Sequence, residues 1–463
     1  MTAKNRRGHL LLKLSAPLVV SFWLRSGFAW IDTIFASLLH DQQGADLGDA
    51  SIAAIGLTLP LEFLLTAFWV GTSNGLTARL ALAMGSGEGQ KVEQLKRAAG
   101  LIICALGGIF LAVACFVWWS ADRVGLDPVV AAQFRIYATV LMAGSAVTSF
   151  WSILPDSLVK AHHDTRSTMW AGLYSSLANI ALNALFLFAF HWGIFGIALS
   201  TVIGRFAGLA YALYRANLHE RARRTRADQQ IQGLYSKPIR RILFLAVPSA
   251  ITFVLMGFES MAVNGMLKDL PNSTSLLASW SIFDRSVRFL AMPLIAASVA
   301  MLPLAARLYG RGDCSSIAAE LSTGIRAGFI YVVLVVTPLA LLLGPRVGAA
   351  LSGSQVTTDL VTQALFWLPM AVLGLMPFIL SRSVFDGLQM PRPGLIAAAV
   401  RTVGLVIPLV WLGSRYYHLV GFNVIQGVCA GYMLGTFISG AGVYFWARRH
   451  LAKLDGSCPL LTE

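Results

Sequence analysis

The chain has 463 residues, 56% of them hydrophobic and only 13% charged, with a mean hydropathy of +0.68 and a formal net charge of +14. That apolar surplus excludes a soluble protein with one or two cores and identifies a polytopic membrane protein. The basic surplus implies a nucleic-acid partner only if membrane topology does not account for it.

A helix needs about 20 apolar residues to cross the hydrocarbon core. Breaking the sequence at polar and Pro/Gly-rich punctuation predicts twelve such spans, near 10–39, 51–84, 96–119, 129–158, 167–190, 193–216, 238–267, 275–308, 317–343, 358–385, 394–414 and 420–447. The first apolar run continues for more than 25 residues with no small-residue cleavage site, so it reads as a retained span rather than a signal peptide. Only His191, Trp192 and Gly193 separate spans five and six, which requires a tight antiparallel hairpin. The polar stretch 217–237 (NLHERARRTRADQQIQGLYSK) is the expected cytoplasmic linker between an amino-terminal lobe, 1–216, and a carboxy-terminal lobe with its tail, 238–463. The expected fold class is all-α, with twelve transmembrane helices in two pseudo-symmetric six-helix lobes.

Of the 36 Lys and Arg residues, 24 fall in the amino terminus, alternate loops, linker and carboxyl terminus, and only Arg123, Lys268, Arg346 and Arg415 fall in the opposite loops. The positive-inside rule then places both termini in the cytoplasm of a multi-pass cell (inner or plasma) membrane protein, and no nucleic-acid partner is needed to explain the charge. The remaining eight, Arg25, Arg135, Arg205, Arg285, Arg288, Arg326, Arg382 and Arg401, lie within or at the ends of spans. Cys104, Cys115 and Cys429 lie in apolar runs, while Cys314 and Cys458 fall in segments placed inside. Their spacing matches no metal site, so reduced thiols are expected.

The halves share short matches. Leu14-Ser-Ala-Pro17 in span one recurs as Leu245-Ala-Val-Pro248 in span seven. Ala-Arg-Leu at 78–80 with Gly-Glu at 87–88 recurs as Ala-Arg-Leu at 306–308 with Gly-Asp at 312–313. Because six spans return the chain to the same side, such halves form a parallel repeat, a layout used by secondary transporters.

Four acidic residues fall inside spans and away from obvious loops: Asp32, Glu62, Glu259 and Asp284. Charge at that depth costs a few kcal/mol and marks an ion or proton pathway unless it is neutralised. Asp284 has Arg288 one turn later, the spacing of a structural pair, and Asp386 with Arg382 and Asp156 with Lys160 repeat it. Asp32 and Glu259 have no basic residue one turn away, and each falls about 20 residues into its span, in the outer half of the membrane. Arg25 is two turns from Asp32, about 10 Å along the axis. An unpaired carboxylate there can exchange a proton or hold Na⁺ with carbonyl and amide oxygens. Glu62 lies at similar depth and either shares that cavity or lines its mouth. Asn179 and Asn183 are one turn apart in the apolar run ANIALNALFLF, where polar side chains commonly join helices. Thr201 can equally bond its own backbone.

The run Ile31-Asp32-Thr33-Ile34-Phe35, followed by AAIGLTLP (53–60), GTSNGLTARLALAMGSGE (71–88), HDTRSTMW (163–170) and the asparagine-bearing span five, resembles the multidrug and toxic compound extrusion (MATE) family. The resemblance implies an aspartate on span one facing two polar residues of span five and a threonine of span six, here Asp32, Asn179, Asn183 and Thr201. Some members carry a second acid where this chain has Asn183, so one carboxylate and one monovalent ion per cycle are expected. In the NorM-like branch, a span-seven glutamate, matched by Glu259, pairs with an acid in span ten. The segment PMAVLGLMPF (369–378) has no such acid, which leaves Glu259 to act alone or to contact substrate.

Trp, Phe and Met side chains suit large amphiphilic substrates, although most must face lipid or pack helices. Arg25, Trp30, Arg205 and Arg288 are candidates for the substrate cavity. Inward-facing arginines favour an anionic or zwitterionic substrate, and acidic residues a cationic one. The expected function is an H⁺- or Na⁺-coupled antiporter exporting a drug or natural product, a monomer without cofactor or resident metal. A lipid-linked precursor flippase of the same superfamily is the alternative. An enzyme is not expected, since there is no nucleophile–base pair, metal cluster or P-loop.

Overall fold

A computed structural model describes residues 10–28, 31–36, 38–39, 47–123, 128–225, 234–267, 270–351 and 355–454, and among these every regular element is helical. Eleven helices are long and apolar enough to cross a bilayer, from Ala54–Gly85 to Val424–Leu454, and the shorter apolar helix Leu10–Leu24 precedes them, giving twelve spans. Backbone groups in hydrocarbon must bond within their own segment, which is why these runs fold as helices even where Pro17, Pro60, Pro155, Pro248, Pro303 and Pro377 interrupt the ladder. Large apolar side chains such as Leu101, Phe116, Trp119, Leu334 and Leu342 are exposed along the helices, as a lipid-facing surface requires.

Several spans are less regular than the apolar runs imply. Span one is described as Leu10–Phe28 followed by the short helix Ile31–Ala36 that carries Asp32. Span four breaks at Thr148, whose hydroxyl donates back to the Gly144 carbonyl at 2.8 Å. Spans eight and ten break at Ala291 and Trp367, each two residues before a proline that lacks an amide hydrogen. Spans five, nine and eleven contain π-helical turns at Leu185–Ala189, Val332–Val336 and Val400–Val406.

The chain forms two compact units, Pro17–Ala250, and Ile251–Glu463 together with the start of the chain through Ala16. The division falls inside the first and seventh helices, close to Pro17 and Pro248, rather than at the polar stretch 217–237. Within the second unit, the Leu11 amide donates to Glu320 Oε2 at 3.1 Å.

The short sequence matches correspond to matching backbone. Gly87 and Gly312 both adopt positive φ, 76° and 75°, and close the turns into spans three and nine. His163 and Gln389, at φ 62° and 64°, close the turns into spans five and eleven. In each case the next amide bonds back to the carbonyl five residues earlier: Glu88 to Ala83, Asp313 to Leu308, Asp164 to Val159 and Met390 to Phe385. This left-handed cap satisfies carbonyls at a helix end, and its recurrence gives both units the same internal turn pattern. The Asp164 carboxylate then caps span five through the Ser167 amide. Burial raises its pKa, but bonds from Ser167, Arg215 and His219 outweigh this and hold it well below the usual carboxylate range. Cys314 is disulfide-bonded, contrary to the reduced thiol expected there, while Cys104, Cys115 and Cys429 are free and Cys458 lies outside the described residues.

Glycine sets the approach of the last two spans of each unit. A Cβ at Gly204 of span six would lie 2.7 Å from the Ser175 carbonyl oxygen and 3.0 Å from the Asn179 Cβ of span five. On span twelve, Gly427, Gly431 and Gly435 face Gly413, Leu409 and Val406 of span eleven. Small residues at such crossings let backbones touch, the main source of helix association in lipid. Gly204→Val is therefore expected to destabilise the protein in detergent by about 1–3 kcal/mol, read as a lower unfolding midpoint. Gly442→Val, where a Cβ meets nothing within 4 Å, is expected to leave it unchanged.

Candidate functional site

The hairpin of spans five and six gathers polar side chains around Asp32. Asn183 Nδ2 donates to Asp32 Oδ1 at 2.6 Å, and the Thr201 hydroxyl reaches Oδ2 at 3.0 Å. Asn179 Nδ2 donates to Thr201 Oγ1 at 3.0 Å, and its Oδ1 lies 3.5 Å from Asn183 Nδ2. The structure thus brings Asp32, Asn179, Asn183 and Thr201 together, with Asn183 wholly buried and Asp32 partly exposed. Asn179 and Asn183 face the same way because they are four residues apart. Gly204 lets span six come close enough for Thr201 to meet them.

Sequence reasoning missed Ser200. Its buried hydroxyl donates to Asn183 Oδ1 at 2.5 Å, which aims the Asn183 amide nitrogen at Asp32. Only its position next to Thr201 hinted at it, since serine hydroxyls in helices usually turn back on the backbone, and the Ile197 carbonyl is the competing acceptor 2.7 Å away.

Among the described residues, no ion pair reaches Asp32, and Glu62 on span two has neither an ion pair nor a hydrogen bond. The cation felt by both is Arg205, one turn beyond Thr201. Its Nη1 donates to the hydroxyls of Ser145 and Ser149 on the broken fourth span, the latter at 3.3 Å. The buried Tyr137 lies in the field of all three charges. Two carboxyl groups thus share one guanidinium, an excess of one acidic side chain over cations. Oxygen atoms from Asp32, Asn179, Thr201 and Ser200 are the hard donors that suit a proton or an alkali cation. Among the described residues, no group of three or more His, Cys, Asp or Glu side chains is placed to hold a metal ion.

The second unit differs. Glu259 has no basic residue one turn away in sequence, but the fold supplies one from span eleven. Arg401 Nη1 donates to Glu259 Oε2 at 2.7 Å, Nη2 to Oε1 at 3.0 Å, and Thr402 Oγ1 to Oε2 at 3.0 Å. This corrects the expectation of an unpaired Glu259. Asp284 pairs with Arg288 at 2.9 Å and accepts from Ser260 at 3.3 Å, as their one-turn spacing implied, so both are tied up as a pair. Asp386 and Arg382 approach to 3.7 Å, and in the first unit Asp156 and Lys160 to 2.5 Å. Arg25 lies in the helix Leu10–Phe28 but its side chain, like the whole of Trp30, is outside the described residues.

Glu259 and Arg401 are 6% and 2% exposed, too little for water to compensate either charge alone. Breaking a buried pair from one side costs about 3–5 kcal/mol, whereas apolar or neutral replacement of both is often harmless. Glu259→Gln and Arg401→Met are each expected to lower the unfolding midpoint strongly, and the double variant to recover most of the loss. Thermal unfolding of the four purified proteins checks this.

The family model MatE matches residues 17–185 and 248–412, two segments of similar length that begin at Pro17 and Pro248, the prolines that end the first short repeat. The chain is 23% identical over 455 residues to the FAD transporter of Shewanella oneidensis, covering 96% of this chain and 94% of that protein. It is 22% identical over 434 residues to the probable multidrug resistance protein NorM of Thermotoga maritima, covering 88% and 86%. The fold matches a solved outward-facing multidrug resistance MATE family transporter with a TM-score of 0.85 at 18% identity, over 97% of both chains. The paired family match, the twelve helical spans and the full-length relatives carry one conclusion: this chain belongs to the MatE family of multi-pass membrane transporters and is not an enzyme.

Proposed function

We propose that the protein exports an amphiphilic small molecule across the cell membrane in exchange for H⁺ or Na⁺, with Asp32 as the coupling group. The observation that carries this reading is that Asp32 lies within a helical membrane protein, held by neutral donors from Asn183 and Thr201 and by no ion pair among the described residues. Such a carboxylate is suited to take up a cation when the site is dry and release it when water enters. One acidic side chain in excess of cations in the Asp32, Glu62 and Arg205 group supports one monovalent cation per cycle. In this reading the six-span lobes alternate access, both termini are cytoplasmic by the positive-inside rule, and a single chain suffices.

A second reading of substrate charge has its own support. The Shewanella oneidensis relative is named an FAD transporter, and Arg205 offers a guanidinium bonded only through Nη1 among the described residues. A planar fork with further donors suits a phosphate or carboxylate. An anionic aromatic amphiphile such as a flavin nucleotide therefore stands beside a cationic drug as substrate.

Reconstituted vesicles under separately imposed proton and sodium gradients distinguish these, with ethidium and FAD as probes. Gradient-driven flux of one probe is expected in the wild type and is expected to vanish in Asp32→Asn while folding is retained. Undiminished flux in Asp32→Asn contradicts the assignment.

A further inference from the structure

The two carboxylate sites occupy corresponding spans. Asp32 is on span one and is met from spans five and six. Glu259 is on span seven and is met from span eleven by Arg401 and Thr402, with the Tyr432 hydroxyl of span twelve 3.4 Å from Arg401 Nη2. Six spans separate each member from its counterpart, and the family match that begins at Pro17 begins again at Pro248. The difference lies in what completes the carboxylate. In the first unit the donors are neutral. In the second, a guanidinium contacts both oxygens.

Local structure is shaped around that contact. Consecutive residues of an α-helix point about 100° apart, yet Arg401 and Thr402 both reach Glu259. They lie in the π-helical stretch Val400–Val406, a widening of the helix frequently found at functional positions. The guanidinium stands 5.5 Å from the Phe378 ring and 5.8 Å from the Tyr432 ring, where aromatic faces support its charge. Its Nε is buried without a partner among the described residues, so its donors are directed at Glu259 and Tyr432. The nearest further charges in the field of Tyr432, Asp284 and Arg288, already neutralise each other.

We propose that Arg401 is a built-in counter-cation, standing on Glu259 where a mobile cation stands on Asp32, so that the second unit binds no coupling ion. This rests on the reading of Asp32 as the coupling group. It makes Arg401 a determinant of stoichiometry: removing the guanidinium while keeping the carboxylate opens a second cation site, which a merely structural pair does not predict.

Cations bound by purified protein in vesicles decide the matter, counted as radioactive sodium and as carboxyl protonation by infrared difference spectroscopy across a pH titration. The double variant Glu259→Gln/Arg401→Met is expected to match the wild-type count. Arg401→Ser is expected to bind one cation more, and Glu259→Gln/Arg401→Ser to lose that addition. A cation lost from Glu259→Gln/Arg401→Met overturns the proposal, as does a folded Arg401→Ser that gains none. If Arg401→Ser does not fold, the Glu259→Gln/Arg401→Met count alone decides. Asp32→Asn, measured in parallel, is expected to lose one cation. If it loses none, the reading of Asp32 fails while the other variants still judge Arg401.

Discussion

A charge in hydrocarbon must be neutralised, and the way this protein meets that demand differs between its two units. In the Ile251–Glu463 unit, Glu259, Asp284 and Asp386 each stand against an arginine of the same unit. In the Pro17–Ala250 unit, Asp156 is paired with Lys160, but Asp32 and Glu62 share only the field of Arg205. The imbalance is one acidic side chain, and it is the physical reason the exchange chemistry is proposed for the first unit. A fully neutral site has no need of a mobile cation; a site one charge short is stabilised by one.

The scaffold holds this asymmetry inside a repeated design. Left-handed turns at Gly87, His163, Gly312 and Gln389 recur in corresponding loops, and the glycines of spans six and twelve bring those spans against five and eleven in both units. Helix association in lipid depends on close backbone packing rather than on expulsion of apolar surface, so these glycines fix where the Asn179, Asn183 and Thr201 side chains converge. Ser200 then completes the arrangement: its hydroxyl donates to the Asn183 oxygen and leaves the amide nitrogen to donate to Asp32.

Much of this was legible in the amino-acid sequence. Hydropathy located the twelve spans because a bilayer imposes a length that few other environments impose. The Asp284–Arg288 and Asp156–Lys160 pairs were readable because one helical turn brings them together. The convergence of Asp32 with spans five and six came from family resemblance, since no spacing rule links residues some 150 positions apart. The Glu259–Arg401 pair had neither signal. Its partners are 142 residues apart, and Arg401 appeared only as one of several arginines in spans. Breaks at Thr148, Ala291 and Trp367 were hidden by continuous apolar runs, and the Cys314 disulfide by the lack of any pairing pattern.

The proposal that one cation moves per substrate, because Asp32 and Glu62 share a single guanidinium, has a thermodynamic signature independent of any variant. With the membrane potential clamped at zero in wild-type vesicles, the steady-state substrate ratio is measured as the imposed cation gradient is changed. A tenfold change in cation ratio is expected to produce a tenfold change in substrate ratio. A hundredfold change, the mark of two cations per cycle, would contradict it.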